Sequence, residues 1–589
     1  MAQWKIKETN VNLDLMSKTL GIDPFLCKLL ANRNIRTKNN VIKFLHPREK
    51  YLHDSLDLLG MDQAIKFILE NKHKKITIYG DYDVDGVCST TILHKGLSSF
   101  NISYYIPHRE HEGYGLNKNA ITKLFETGTE IILACDNGIT AIEEIEYAKS
   151  LGIDNVIIDH HEPIVKNGVE VLPDAIIVNP KQHSCQYPFK FMCAAGLSYK
   201  FIKELYKFSE TDFSKELENQ LIIFTAIATL CDVVDLQDEN RIIVRLGLEL
   251  LKDPITNQGL EALVKEKNLV DVHEEAIGFN IGPCINAAGR LETAMLAVEL
   301  FLCDDSQKAK ELAKNINQLN EQRKELTQNA MNMILDNDMA ATMANQDKII
   351  VLYQPDIHES VAGIVAGRIK DMMYKPTIII TSGEHDPKGS ARSIDGYNIY
   401  ENLASYRHLF IKFGGHEMAA GLSLPEENID ILRSGLNRDF QESGTILQEI
   451  IEIDAELDLD KATYQLTEDI DIMRPFGKAN ESPVFVSYRV SLHSLRMIEE
   501  KNTLIFTFLT PQGRSIKGLC FGRGNIDKFI YMIQSQFDED LSEAIFNGVL
   551  RNVDIKLDIV YYVEMNHYNG LSSVQLKLKD FCHSEREYT

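Results

Sequence analysis

The sequence predicts an α/β protein: two α/β units joined by a long helix, followed by a small β-barrel. Three observations predict it. From Lys75 short apolar runs (ITIYG, IILAC, NVIID, AIIVNP) alternate with amphipathic stretches, the pattern of βαβ units and a parallel sheet. The same texture returns at Lys348 with KIIVLY and PTIIITS around the helical stretch SVAGIVAGRIKDMM. After about residue 446 the chain changes to alternating strands with few helices (PVFVSYRV, TLIFTFLT, SIKGLC, DIKLDIVYYVEM, SSVQLKL), punctuated by Pro-Gln-Gly, Gly-Arg-Gly and Asn-Gly.

Taken in order, residues 1–70 read as a helical segment, because LCKLLANRNI and NNVIKFL place apolar residues three to four apart. Residues 71–300 form the first α/β unit, with helices expected from about Val87 to Leu97 and from Ala141 to Ser150, and a buried apolar helix over 220–231. Residues 301–340 form the connecting helix. Asp304-Asp305-Ser306 offers its N-cap, and Ala309, Leu312, Ile316, Leu319, Leu326, Ala330 and Ile334 recur at helical spacing. The second unit covers 341–445 and closes on the Gly-rich FGGHEMAAGL; Gly363 and Gly367 are expected to let its helix pack closely. The barrel takes 446–589, and no repeat or low-complexity tract interrupts the chain.

Composition narrows the function. Against 62 Lys and Arg stand 86 Asp and Glu, a formal net charge of −24, which excludes a basic, tail-driven nucleic-acid binder. Ten cysteines lie scattered without a CxxC pair, several inside apolar runs, so neither a disulfide framework nor a zinc site is expected. No apolar run approaches the roughly 18 residues of a membrane helix, and MAQWKIKETN lacks the apolar core of a signal peptide. The expectation is a cytoplasmic protein with no membrane contact.

The informative residues follow the early strands. ITIYG runs into Asp81-Tyr82-Asp83-Val84-Asp85-Gly86, IILAC into Asp136-Asn137-Gly138, and VII into Asp159-His160-His161. In parallel sheets ligands sit outside the carboxyl ends of the strands, so three separated positions converge on one crevice. Carboxylates facing one another without basic partners repel unless cations neutralise them. Carboxylate oxygens with an occasional imidazole suit Mn²⁺ or Mg²⁺ better than zinc. Five or more donors exceed the needs of one ion, which favours two ions about 3.5–4 Å apart sharing a carboxylate. Asp-rich turns also cap helices, and DxDxDG opens a calcium loop; but the twelfth position from Asp81 is Ile92, not the Glu such a loop needs.

DYDVDG, CDNG, DHH and the later CDVVDL resemble the four signature segments of the DHH phosphoesterase superfamily. LLANRNI, YIPHREHEGYGLN, IGPCINAAGRLE, GSARSIDGYNIYENL, FGGHEMAAGL and PFGKANESPVF are similar to its RecJ family of single-strand-specific 5′-to-3′ DNA exonucleases, over roughly residues 20–490. The resemblance implies a DHH domain, a DHH-associated domain and a C-terminal OB-type barrel, with two Mn²⁺ or Mg²⁺ ions. It implies Asp83, Asp85, Asp136, His160 and Asp232 as metal ligands, Asp136 bridging. Asp159 would orient its neighbours and His161 would meet the scissile phosphate or leaving group; Asp81 stands between a loop carboxylate and a place in the metal shell.

Arg109, Ser390 and Arg392 match positions that hold the 5′ phosphate in that family, and Arg forks suit phosphate. Arg290, His358, Gly414, Gly415 and His416 are further substrate-contact expectations. One departure is Cys284, in GPCINAAGR, where the family commonly writes arginine; with Glu292 it predicts weaker or more salt-sensitive DNA binding. On the barrel, Phe506, Phe508, Tyr561, Arg514, Lys517 and Arg523 are candidates for gripping a single strand. The implied partner is single-stranded DNA with a 5′ end. Single-strand binding protein and a helicase are the implied protein partners, and the protein is expected to be a monomer working in DNA repair and recombination. Two other readings compete: a phosphodiesterase for very short or cyclic oligonucleotides, disfavoured by the added barrel, and a non-catalytic scaffold, disfavoured by the complete ligand set.

Overall fold

The computed structural model describes residues 2–336, 346–383, 385–547, 555–568 and 570–584. The chain forms two units: one of residues 46–445 with 477–480, the other of residues 1–45, 446–476 and 481–589.

The first unit is built on a five-stranded, all-parallel sheet in the order Ile102–Tyr105, Ile76–Tyr79, Ile131–Cys135, Asp154–Ile158, Ile176–Val178. Its central strands are apolar without alternation because both faces are covered. Ile76, Ile78, Ile131 and Leu133 join one core, while Tyr79, Ile132 and Ala134 join the other. The helix Val84–Gly96 begins three residues before the sequence expectation, because Asp83 caps it, accepting from Asp85 N at 2.9 Å and Gly86 N at 3.1 Å. A Cβ at Gly86 would stand 2.4 Å from Asp81 O, so only glycine permits this turn. The expected helix over 220–231 is the C-terminal part of Lys215–Cys231 and is largely buried.

The connecting helix spans Ser306–Leu335, capped by Asp305, whose carboxylate accepts from Lys308 N at 2.7 Å. Ala309, Ala313, Ile316 and Leu319 belong to the core of the parallel sheet, and Ala330, Met331 and Ile334 to that of the next domain. Positions 337–340 of the expected connector lie outside the described residues. The second sheet is mixed, ordered Lys412–His416, Ala419–Ser423, Lys388–Arg392, Thr377–Thr381, Ile350–Tyr353, with only the last pair parallel. Across it packs the helix Glu359–Met373, through Val361, Ala362, Val365, Ala366 and Ile369. Gly363 makes a close approach, a Cβ there standing 2.8 Å from Arg392 Nη2; Gly367 has nothing within 4 Å, so close packing is not its role.

In the other unit the strands Phe485–Ile498, Thr503–Leu509, Ser515–Phe521, Leu571–His583 and Lys556–Tyr568 close into a barrel, the last pairing back to the first. Residues 548–554 and 585–589 of this region lie outside the described residues. The expected 1–70 helical segment divides. Gln3–Ile6 is a strand paired in parallel with Ile450–Ile453, and Leu26, Cys27, Leu29 and Leu30 pack into the barrel core. Met61, Ala64, Ile65 and Ile68 instead pack under the parallel sheet. Four residues with alternating exposure gave too short a pattern to read as a strand. None of the ten cysteines is joined in a disulfide, eight of them are buried, and no described helix is long and apolar enough to cross a membrane.

Candidate metal centre and phosphate-facing cleft

Three adjacent strands of the parallel sheet end on the acidic segments, so the register itself gathers them: Tyr79 lies opposite Ala134, and Cys135 opposite Ile158. Asp136 takes φ 62°, a left-handed conformation uncommon for a residue with a side chain, while its N–H still bonds Ile158 O at 3.1 Å. Asn137 ties the turn down by donating to Cys135 O at 2.9 Å. Asp232 arrives from elsewhere, at the end of the helix Lys215–Cys231, and Val233 after it takes φ 55°.

His160 Nε2 sits 3.2 Å from Asp136 Oδ1, 3.7 Å from Asp85 Oδ2 and 3.7 Å from Asp232 Oδ2. Donor atoms of Asp85, His160 and Asp232 lie within 4.8 Å of one another; so do those of Asp81, Asp83 and Asp136, and those of Asp136, His160 and His161. All five expected ligands are therefore brought together, and Asp81 joins them. Asp81 Oδ1, Asp136 Oδ1, Asp232 Oδ2 and His160 Nε2 are buried without a hydrogen-bond partner. Orphaned buried polar atoms are costly, and four of them within overlapping donor groups fit divalent cations.

The electrostatics agree. Burial, then the neighbouring carboxylates, raises Asp81 and Asp136 well above the ordinary carboxylate range, pushes Asp85 up to about 6 and Asp232 up to about 8. Burial, then the charge of His161, drives His160 down to about 3, which leaves its imidazole neutral and able to bind a cation. Asp85 is partly satisfied, accepting from Ala194 N at 2.7 Å and Ala195 N at 2.8 Å at the start of the helix Ala194–Phe208. That helix was not among the expected elements, although Leu197, Phe201, Ile202 and Leu205 recur at helical spacing.

Asp159 accepts from Ile139 N at 3.0 Å, His160 N at 2.7 Å and His161 Nδ1 at 2.7 Å. Burial alone would raise it, but these bonds and the charge of His161 hold it far below the usual range. Burial likewise opposes a charge on His161, yet the bond to Asp159 and the charges of Asp159, Asp232 and Asp83 push it up to about 9. A residue not singled out from sequence, Tyr114, donates to Asp136 O at 3.2 Å and reaches the His161 ring at 3.2 Å. Its place in YIPHREHEGYGLN was visible, but nothing local marked its hydroxyl.

Facing this cluster are cations. Arg109 lies over the Tyr82 ring at 4.7 Å. Arg290 Nη1 donates to Ser360 O at 3.0 Å, and Arg392 Nη1 to Ala391 O at 2.7 Å. Ser390 and Arg392 alternate on one strand and so share a face, against Gly363. Burial, then Arg109, Arg392 and Arg323, pushes Arg290 down to about 9; burial and Arg109 lower Arg392. Among the described residues none of the three forms an ion pair. Burial, then the charges of Arg392 and His161, lowers His416. Gly414 is open, and Gly415, at φ 150°, would set a Cβ 2.4 Å from Ala419 O. His358 caps the helix Glu359–Met373 and bonds Ser360 Oγ at 2.8 Å, so a structural duty accounts for its position.

The chain matches three family models: DHH family, N-terminal domain, over residues 75–230; DHHA1 domain over 346–442; and RecJ OB domain over 453–580. It is 34% identical to the single-stranded-DNA-specific exonuclease RecJ of Bacillus subtilis, over 99% of this chain and 71% of that one. The chain belongs to the RecJ family. The Haemophilus influenzae RecJ is 30% identical over 94% of this chain and 95% of its own length. The crystal structure of RecJ in complex with Mn²⁺ from Thermus thermophilus shares the fold, with a TM-score of 0.80 at 22% identity, covering 99% of this chain and 80% of that one.

Two RecJ-guided expectations need correction. Cys284 is fully buried on the helix Gly282–Leu291 and faces the core, so its own side chain is not open to solvent and the position is helical, not part of a loop. Phe506, Phe508 and Tyr561 are fully buried and form the barrel's aromatic core with Phe485, Phe529 and Phe581. Arg514 is committed to the carbonyls of Leu459 at 2.8 Å and Ala462 at 2.9 Å. Of the barrel candidates, Arg514, Lys517 and Arg523 are exposed, the last two without such carbonyl bonds, and the outward aromatics Phe521 and Tyr531 lie on the same barrel.

Proposed function

We propose that this RecJ-family chain is a metal-dependent exonuclease that degrades single-stranded DNA from the 5′ end and releases 5′-mononucleotides. One observation carries the reading: a cluster of orphaned, mutually repelling carboxylates faces a cluster of unpaired arginines. The first requires cations, the second an anion, and a phosphodiester end is the substrate class that suits both.

Asp81, Asp83, Asp85, Asp136, His160 and Asp232 would hold two Mn²⁺ or Mg²⁺ ions. When bound, such ions activate water and stabilise charge on the phosphoryl oxygens. The chain's own residues do the rest. Asp159 fixes the ring of His161 through Nδ1, keeping it protonated at neutral pH and able to donate to the departing oxygen. Arg109, Arg392 and Ser390 hold the terminal phosphate, so the first diester is presented for cleavage. Gly414 and Gly415 permit close backbone approach, and His416 borders the same space.

We extend the proposal to the division of labour: residues 71–300 carry the chemistry, 341–445 together with Arg109 hold the 5′ end, and 446–589 grip the strand. Partnership with a single-strand binding protein and a helicase, a monomeric state and a cytoplasmic location are supported by the family resemblance alone. The deciding experiment is product analysis on 5′- and 3′-labelled single strands and duplexes with Mn²⁺ or Mg²⁺. Mononucleotides appearing first from the 5′ label of single strands support the reading. Activity on dinucleotides with none on 20-mers, or undiminished digestion by Asp136→Ala, sinks it.

A further inference from the structure

The helix Glu359–Met373 continues past the arginines of the cleft. Arg290 meets its first turn at Ser360 O, and Arg392 meets it at Gly363. One turn further, about 5.4 Å along the axis, Gly367 has nothing within 4 Å of where its Cβ would be, and Arg368 is exposed beside it. The connecting helix, packed along this one through Leu326 and Ala330, contributes Arg323.

Arg323 is held in an unusual way. Its Nε donates to Asn320 Oδ1 at 3.1 Å, which fixes the plane of the guanidinium and leaves its two terminal nitrogens uncommitted. Asn320 is itself only 1% exposed, and its Nδ2 has no hydrogen-bond partner. Glu321, a carboxylate whose charge acts on Arg323, is taken by Lys324 at 2.8 Å and Lys267 at 3.5 Å. Among the described residues no ion pair forms at Arg323 or Arg368. Burial, then Arg368, lowers Arg323, and Arg323 in turn lowers Arg290, so these cations repel one another across the stretch.

We propose that Arg323, Arg368 and the open backbone at Gly367 form an anion trough beyond the 5′-phosphate position, one that takes the additional phosphates of a 5′-di- or triphosphorylated strand end. The inference rests on the reading that Arg392 and its neighbours hold the terminal phosphate. On such an end the hydrolysis is unchanged. Water adds to the phosphorus of the first internucleotide diester, the P–O3′ bond breaks, and a proton ends on the leaving 3′ oxygen. The released molecule is then a nucleoside 5′-triphosphate with a free 3′-hydroxyl, and the shortened strand carries an ordinary 5′-phosphate. The anhydride bonds stay intact.

The test uses the full chain with Mn²⁺ and single-stranded 20-mers ending in a 5′-monophosphate or a 5′-triphosphate, labelled in the first nucleotide. The expected first product from the second substrate is the labelled nucleoside triphosphate. Arg323→Ala and Arg368→Ala should each lower kcat/KM on the triphosphate end by about tenfold or more, the worth of a charge-assisted hydrogen bond, and change the monophosphate end far less. Wild-type digestion of the monophosphate end with the triphosphate end refused overturns the trough and leaves the exonuclease reading standing. So does an equal loss on both ends in both variants. Failure to digest either end overturns both readings.

Discussion

Asp159 illustrates how a side chain can matter without belonging to the tightest donor groups. Its oxygens are spent on the backbone of Ile139 and His160 and on the ring of His161. In Asp159→Asn the amide cannot accept all of these bonds and no longer favours a charged His161. We expect a loss of about 10- to 100-fold in activity, read by single-turnover digestion of a 5′-phosphorylated strand, with the parallel sheet intact by circular dichroism. The clustered carboxylates give a pH prediction. Asp85 near 6 and Asp232 near 8 lie above their unfolded values, so between pH 4 and 8 the metal-free fold binds more protons than the unfolded chain. Its stability therefore falls as pH rises through that window. Mn²⁺ should raise the melting temperature more at pH 8 than at pH 6; an equal increment contradicts the assignment. The acids were legible because strand ends mark themselves in sequence. The burial of Cys284 was not legible because the phase of a helix is set by what packs on it: Cys284→Arg should lower stability by about 1–3 kcal/mol or more in a denaturant titration.

At the scale of elements, the sequence showed which segments were strands more readily than which way they faced. In TLIFTFLT every second side chain points inward, and both phenylalanines fell on that side. Phe506→Ala should therefore cost about 3–5 kcal/mol in a denaturant titration, whereas Tyr531→Ala should weaken single-strand binding and leave the unfolding midpoint in place. The helix Gly282–Leu291 is positioned with similar strictness. A Cβ at Gly289 would stand 2.4 Å from Tyr82 O, within the turn that carries Asp81 and Asp83. Gly289→Ala should displace that turn and reduce Mn²⁺ affinity, measured by calorimetry, more than it changes overall stability.

Across the whole molecule, the net charge of −24 is compatible with DNA because part of the acid is concentrated where cations are required, while the arginines are concentrated opposite it. The division into two units was not legible, since nothing local in residues 1–45 states which core they will complete. Heating should resolve two transitions, and only the one belonging to residues 46–445 should move when Mn²⁺ is added.

The pairing of Gln3–Ile6 with Ile450–Ile453 also sets a timetable for the ribosome. The first 45 residues must wait while roughly 400 more are made, on the order of 20 to 80 s at about 5–20 residues per second. Throughout that interval Leu26, Leu29 and Leu30, destined for the barrel core, have nothing of their own to cover them. Until the barrel is made, these side chains are apolar surface exposed on the nascent chain, the condition that favours misassembly.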